Sequence, residues 1–324
     1  MDRPPFPGPP PYHPPHPTPA RPPWLVPPPP GLPYHRLSRT PVHRWWRPVL
    51  GTLLVFGGFV LVGGFVVLLG AIVAVYAGLP VDPDGPSFLG DPLLTLTVLL
   101  SSIALVLPVT YGAAALAQRR PPGTLSSVAG RLRWGWLALC LVAAAVAALL
   151  GHLAAGLALG LTGEGDGGEL LAWAGWETFG PALVVTLVLV PFQAAAEEYI
   201  FRGWVLQAFG AYLRSPWPGI LLGSAGFAAA HAYTGWGVLD VFTFGAVMGW
   251  ITVRTGGLEA AIAIHTLNNV VAFLISSATG NLEDALRQGA VPWQTLVGTA
   301  VQLATFIAIV LFMARKRAIQ TVSR

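Results

Sequence analysis

Two adjacent carboxylates and a guanidinium, Glu197, Glu198 and Arg202, follow nineteen uncharged residues, 178–196. Ionisable groups at the end of such an apolar run cost several kcal/mol each unless paired or facing water, which makes them functional candidates. On a helix, Glu198 and Arg202 stand four apart on one face and can pair. Glu197 is turned ~100° away, with Gln193 on its own side one turn earlier. The spacing separates the two acids: Glu198 is held and compensated by Arg202, and Glu197 is left to meet water and substrate.

Two later apolar runs add Phe227 with His231, four apart, and His265 with Asn268 and Asn269, three and four residues on. Singly, a membrane histidine is more often a packing hydrogen-bonder, and an asparagine interhelical glue. Together they make two acids, a guanidinium, two imidazoles and an amide on three helices otherwise almost free of charge. Such a set can activate a water through carboxylate and imidazole, and stabilise an oxyanion through imidazole and amide donors. Hydrolysis is the natural chemistry. Readings from other classes are a proton-coupled transporter with the same groups as a relay, and a catalytically idle membrane scaffold or immunity protein. No internal repeat of the kind that marks many transporters is visible. His152 has no acidic partner within its own run and reads as structural; Asp240 and Glu259, at run ends, read as solvated.

The elements that must position these groups are membrane helices. Of 324 residues 54% are hydrophobic and 10% charged, a balance that excludes a pair of soluble domains and implies an all-α polytopic membrane bundle. Apolar runs at 49–79, 93–117, 134–161, 179–201, 216–233, 238–253, 260–278 and 291–314 give about eight transmembrane helices. The net charge of +4 does not signal nucleic acid, because the basic residues sit at run ends. Of 18 Lys and Arg residues only Arg287 falls on the opposite side and Arg202 within the bilayer, so both termini are expected in the cytoplasm of a bacterial plasma membrane. Cys140 is the single cysteine, so there is no intrachain disulfide.

Residues 1–47 read as a proline-rich disordered cytoplasmic tail, in which His13, His16, His35 and His43 are solvated. Residues 48–315 form the transmembrane domain and 316–324 a basic cytoplasmic tail. Pro191, six residues before Glu197, predicts a kink. The stretch 215–253 has 39 residues for two crossings that want about 40 before any turn. One helix must therefore be short, which brings His231 nearer the midplane. Gly219-x-x-x-Gly223 and Gly245-x-x-x-Gly249 allow close helix packing there.

Glu197-Glu198-x-x-x-Arg202, Phe227-x-x-x-His231 and His265-x-x-x-Asn269, in that order and each in an apolar helix, resemble the CPBP family of intramembrane proteases. That family includes CAAX prenyl endopeptidases and bacterial Abi proteins of bacteriocin processing or self-immunity. The resemblance covers about 179–278. It implies an endopeptidase that hydrolyses membrane-associated peptides or proteins. Glu197 would be the general base assisted by His231, His265 and Asn269 the oxyanion hole, and Glu198 with Arg202 the organising pair. Partners would be the bilayer and a peptide or protein substrate, with no nucleic acid. Members of this family have been described both with and without a metal. Glu197, His231 and His265 could ligate Zn2+, but there is no H-E-x-x-H pair and Arg202 disfavours a cation, so no required cofactor is expected.

Overall fold

The structure is a computed structural model, and it describes residue 8, residues 23–164 and residues 173–324. Apolar stretches of this length must satisfy their backbone internally, and a membrane chain does so as helices. In chain order they are α1 (Trp46–Tyr76), α2 (Pro92–Leu116), α3 (Trp134–Thr162), α4 (Trp176–Gly210), α5 (Trp217–Ala229), α6 (Trp236–Thr255), α7 (Glu259–Ala278), the six-residue α8 (Leu282–Arg287) and α9 (Gln294–Lys316). Seven of these are long and apolar enough to cross a membrane. The fold is an all-α polytopic bundle.

The eighth crossing expected over 216–233 is the 13-residue α5, ~20 Å long against ~30 Å of hydrocarbon. It stops at Ala229, and the chain turns through β1 (Thr234–Gly235), where Gly235 takes φ +56°. β1 pairs in parallel with β2 (Ala290–Val291), Thr234 opposite Ala290. His231 therefore lies just past a truncated helix. Within α2, regular helix breaks at Leu105; Pro108 lacks an N–H and its ring crowds the carbonyl of Ala104, four residues back.

Helix α7 packs between α3 and α4, α3 lies along α9, α5 lies on α6, and α1 rests against α2 at the rim. The rim position suits α1, whose Leu53, Phe56 and Leu61 face outward. The glycine pairs do serve close packing: Gly249 meets Ile220 of α5, and Gly223 meets the Phe201 carbonyl of α4.

Helix alternation brings the basic segments to one face of the bundle, and there they form a cap. Residues 23–45, expected as disordered tail, are packed into it, while 1–7 and 9–22 lie outside the described residues. Composition misled because the proline run contains side chains that fill holes between helix ends. Tyr34 is buried and donates to the Leu125 carbonyl. His35, expected to be solvated, is buried with Nε2 bonded to the Arg214 carbonyl at 2.9 Å, and Ser38 donates to the Gln207 carbonyl at 2.7 Å. The end of the chain returns to the same place, with Ser323 N donating to the Leu32 carbonyl at 2.9 Å and Gly31 N to the Ser323 carbonyl at 2.9 Å.

Beneath this strap Arg120 is fully buried, its Nε on Gln118 at 2.5 Å and Nη1 on Thr124 and Gln207 at 2.7 and 2.6 Å. Burial pulls its guanidinium down to about 10. Glu259, expected to be solvated at a helix end, is instead buried, accepting from Arg133 Nε at 2.8 Å and Nη2 at 2.6 Å.

Two predictions concern the strap. Burial, and secondarily Arg36, hold the His35 imidazole below its ordinary 6.5, against the bond to Arg214. A depressed folded value means that this contribution to docking is full above 6.5 and lost as pH falls through the folded value. Limited proteolysis of residues 23–45 should accelerate in acid, and His35→Gln should flatten that response. Gly210 packs on the His35 carbonyl with no room for a Cβ, so Gly210→Ala should expose the strap to protease at every pH.

Candidate active site

Helix α4 carries the acids inward from the cap. Glu198 lies 12 residues before Gly210, ~18 Å along the helix, and His265 six residues into α7, ~9 Å from its start. Both lie in the half of the bundle nearer the cap. Around Arg202 the helix widens to a π-helix over Tyr199–Val205, a local departure frequent at functional sites. Pro191, six residues before Glu197, leaves the Leu187 carbonyl without its intrahelical donor.

Four of the six expected residues form one connected cluster. Arg202 Nη1 donates to Glu198 Oε1 at 2.9 Å, the pairing that their four-residue spacing predicts. His265 Nδ1 bonds the same oxygen at 2.7 Å, so Glu198, fully buried, is compensated from two helices. His265 Nε2 then faces Glu197 Oε2 at 3.4 Å. Glu197 is the more accessible acid at 9% exposed, and its Oε2 has no hydrogen-bond partner. The separation of the two acids expected from helix geometry is present.

The remaining two are placed less directly. Asn269 lies one turn beyond His265 but bonds Gln193 instead of the imidazole, Nδ2 to Oε1 at 3.0 Å. Its second amide hydrogen is uncommitted. Asn268 accepts from Gln302 of α9 at 2.6 Å and is interhelical glue. His231 makes no direct polar contact with Glu197 among the described residues; its Nδ1 bonds the Phe227 carbonyl at 2.8 Å, which leaves Nε2 as the acceptor.

Phe227 joins the two parts. Its ring lies 4.5 Å from the His231 ring and 5.6 Å edge-on to His265, with the Arg202 guanidinium 4.2 Å over its face. That cation–π contact compensates a charge with no water around it. Phe244 stands edge-on to His265 at 5.9 Å and closes the apolar wall. Gly245 supplies something the packing motif did not disclose: a Cβ there would lie 3.0 Å from Arg202 Nη2. The missing side chain makes room for the guanidinium as well as for α5.

The cluster is a poor fit for a divalent cation. Glu198 Oε1 is already shared by a guanidinium and an imidazole, and a cation beside Glu197 would be repelled by Arg202. Among the described residues no group of three His, Cys, Asp or Glu is placed to hold an ion.

With this geometry in view, residues 178–271 match the family model described as Type II CAAX prenyl endopeptidase Rce1-like. That segment runs from the start of α4 to just past Asn269 and bears out the resemblance over the four core helices. A curated protein of Bacillus subtilis (strain 168), uncharacterized protein YyaK, is 32% identical over 147 residues, 41% of this chain and 49% of that relative. The match thus spans about half the length of that relative. No solved structure matches the chain.

Removing one member of a buried, compensated set leaves its partner charged in an apolar interior. Arg202→Met should therefore cost about 3 kcal/mol, read as a lowered thermal transition in detergent. The double variant with Glu198→Gln should recover part of that loss, because the stranded charge is then gone.

Proposed function

Taking an integral membrane core that is Rce1-like over 178–271 as the premise, we propose that this protein is an intramembrane endopeptidase acting on membrane-associated peptides or proteins. The observation that carries the proposal is the acid left over. Both acids keep an unpartnered Oε2, but Glu198 is fully buried with Oε1 committed to Arg202 and His265, while Glu197 is 9% exposed with Oε2 3.4 Å from His265 Nε2.

In this mechanism Glu197 takes a proton from a water while the water oxygen adds to the scissile carbonyl carbon. His231 Nε2, left as an acceptor by the bond of Nδ1 to Phe227, helps hold that water. The tetrahedral oxyanion is met by the free Asn269 amide hydrogen and by Nε2–H of His265 as the imidazolium, the form that also donates Nδ1–H to Glu198. Glu197 then returns its proton to the departing amine nitrogen as the C–N bond breaks, leaving a carboxyl terminus and an amine. Glu198 and Arg202 touch no reacting atom; they orient the His265 ring. No step requires a metal ion.

The apolar surroundings suit this chemistry, since a donor in a water-poor site is worth more than in bulk. They also favour, as substrates, chains already in or on the bilayer. Among the described residues the cap segments carry most of the Lys and Arg, which by the positive-inside rule supports a cytoplasmic cap and a site in the inner half of the membrane.

The test is cleavage of membrane-associated peptides, prenylated and unprenylated, by the purified full chain in detergent. Glu197→Gln should lower turnover ~10²–10⁴-fold with an unchanged thermal transition, and Asn269→Ala should lower it ~10²-fold. A strong chelator should leave the wild-type rate unaltered. Undiminished cleavage by Glu197→Gln would sink the proposal, and loss with the chelator would replace the metal-free mechanism.

A further inference from the structure

Where α1 leaves the cap, Arg47 N bonds the Arg44 carbonyl at 3.1 Å and a Cβ on Gly51 would meet Ala117 at 3.6 Å, which brings Arg44, Arg47 and Arg119 to one neighbourhood; among the described residues none of the three pairs with an acid. Arg119 lies over the Trp24 ring at 4.5 Å and donates through Nε to the Trp24 carbonyl at 3.1 Å. The Trp24 indole in turn donates to the Ala115 carbonyl at 3.1 Å, which fixes this strap residue against the end of α2. Arg47, in the first turn of α1, lies 5.3 Å over the Trp46 ring. Its Nε and Nη1 are shielded from solvent without a hydrogen-bond partner. The charged groups that bear on Arg47 are Arg119 and Arg44, both positive. Among the described residues, the arginine ion pairs join Arg133 to Glu259, Arg202 to Glu198 and Arg287 to Glu283, all elsewhere.

Shielded donors without a partner are costly, and Arg47 feels two further positive charges, Arg119 and Arg44, so an anion is the component that would answer them. The surroundings say which kind. Trp24, Trp45 and Trp46 are 57%, 72% and 43% exposed, and below them α1 turns Leu50 and Leu53 outward. Indoles at this level and an aliphatic helix face beneath are what a lipid meets at the headgroup boundary. A choline or ethanolamine headgroup would bring a further cation to the cluster.

We propose that Arg44, Arg47 and Arg119 bind the phosphate of an anionic phospholipid, with its acyl chains along the Leu50 and Leu53 face of α1. The site stands on these contacts and is independent of the hydrolytic reading.

Native mass spectrometry of the full chain in detergent tests it, with equal amounts of dioleoylphosphatidylglycerol and dioleoylphosphatidylcholine offered to each protein. Wild type should retain one phosphatidylglycerol in preference, as should Arg287→Gln, which alters a charge on the opposite face. Arg47→Gln and Arg44→Gln should each weaken retention about fivefold; Arg44 is exposed, so its substitution leaves the fold intact. Millimolar inorganic phosphate should not displace the lipid. Equal retention of both lipids, retention unaltered in both arginine variants, or displacement by inorganic phosphate would each overturn the proposal.

Discussion

A carboxylate without water around it must be answered by positive charge, and in this bundle Glu198 is the carboxylate. Arg202 answers it from one turn along the same helix and His265 from across the interface with α7. Much of the surrounding packing follows from that requirement. Phe227 offers its ring face to the guanidinium, Gly245 gives it space, and α5 and α6 are brought close by small residues. The ion cluster therefore sets the relative position of four helices, in an environment where apolar side chains exert little mutual preference over lipid. Glu197, the acid proposed as general base, lies beside it and inherits that rigidity at no extra cost.

The cap performs the complementary task at the helix ends. Helix α4 runs from the far face, past the acids, to Gln207 and Gly210 under the strap. Arg120 and the Arg133–Glu259 pair hold neighbouring loops and the start of α7 to the same layer. Helices α4 and α7, which carry Glu197, Glu198 and His265, are thus fixed at one end by polar contacts and in the middle by charge. At the opposite ends the described contacts include the β1–β2 pair, the Ala174–Ala278 backbone bond and Gln294 Nε2 on Thr162 and Glu164.

What the sequence disclosed was local in origin. The Glu198–Arg202 pair follows from four-residue spacing alone, and the turning of Glu197 away from that pair from its 100° offset. The shortness of α5 follows from counting 39 residues against two crossings. Contacts between helices were not legible in the same way. Nothing in the spacing shows that His265 reaches Glu198, 67 positions away, or that Asn269 turns to Gln193 while Asn268 turns to Gln302. The strap was misjudged for a related reason. Proline-rich composition argues that a segment cannot build a core of its own, and says nothing about whether it can complete one built by helix ends. Tyr34 and His35 do that, and periodicity has no signal for a residue that fills a hole made by others.

The interleaving of residues 29–33 with 322–323 imposes an order on assembly. Ser323 bonds Pro29 and Leu32 across 294 and 291 positions of chain, so the strap gains these partners only after residue 323 has left the ribosome. Helices α1 to α9 are made before then. During translation the basic face is therefore incomplete, with Pro29, Gly31 and Leu32 still awaiting Ser323. Closure of this layer is a late, long-range event, and a newly inserted bundle passes through a stage in which its helices are placed while its cytoplasm-facing seal, as proposed, still stands open.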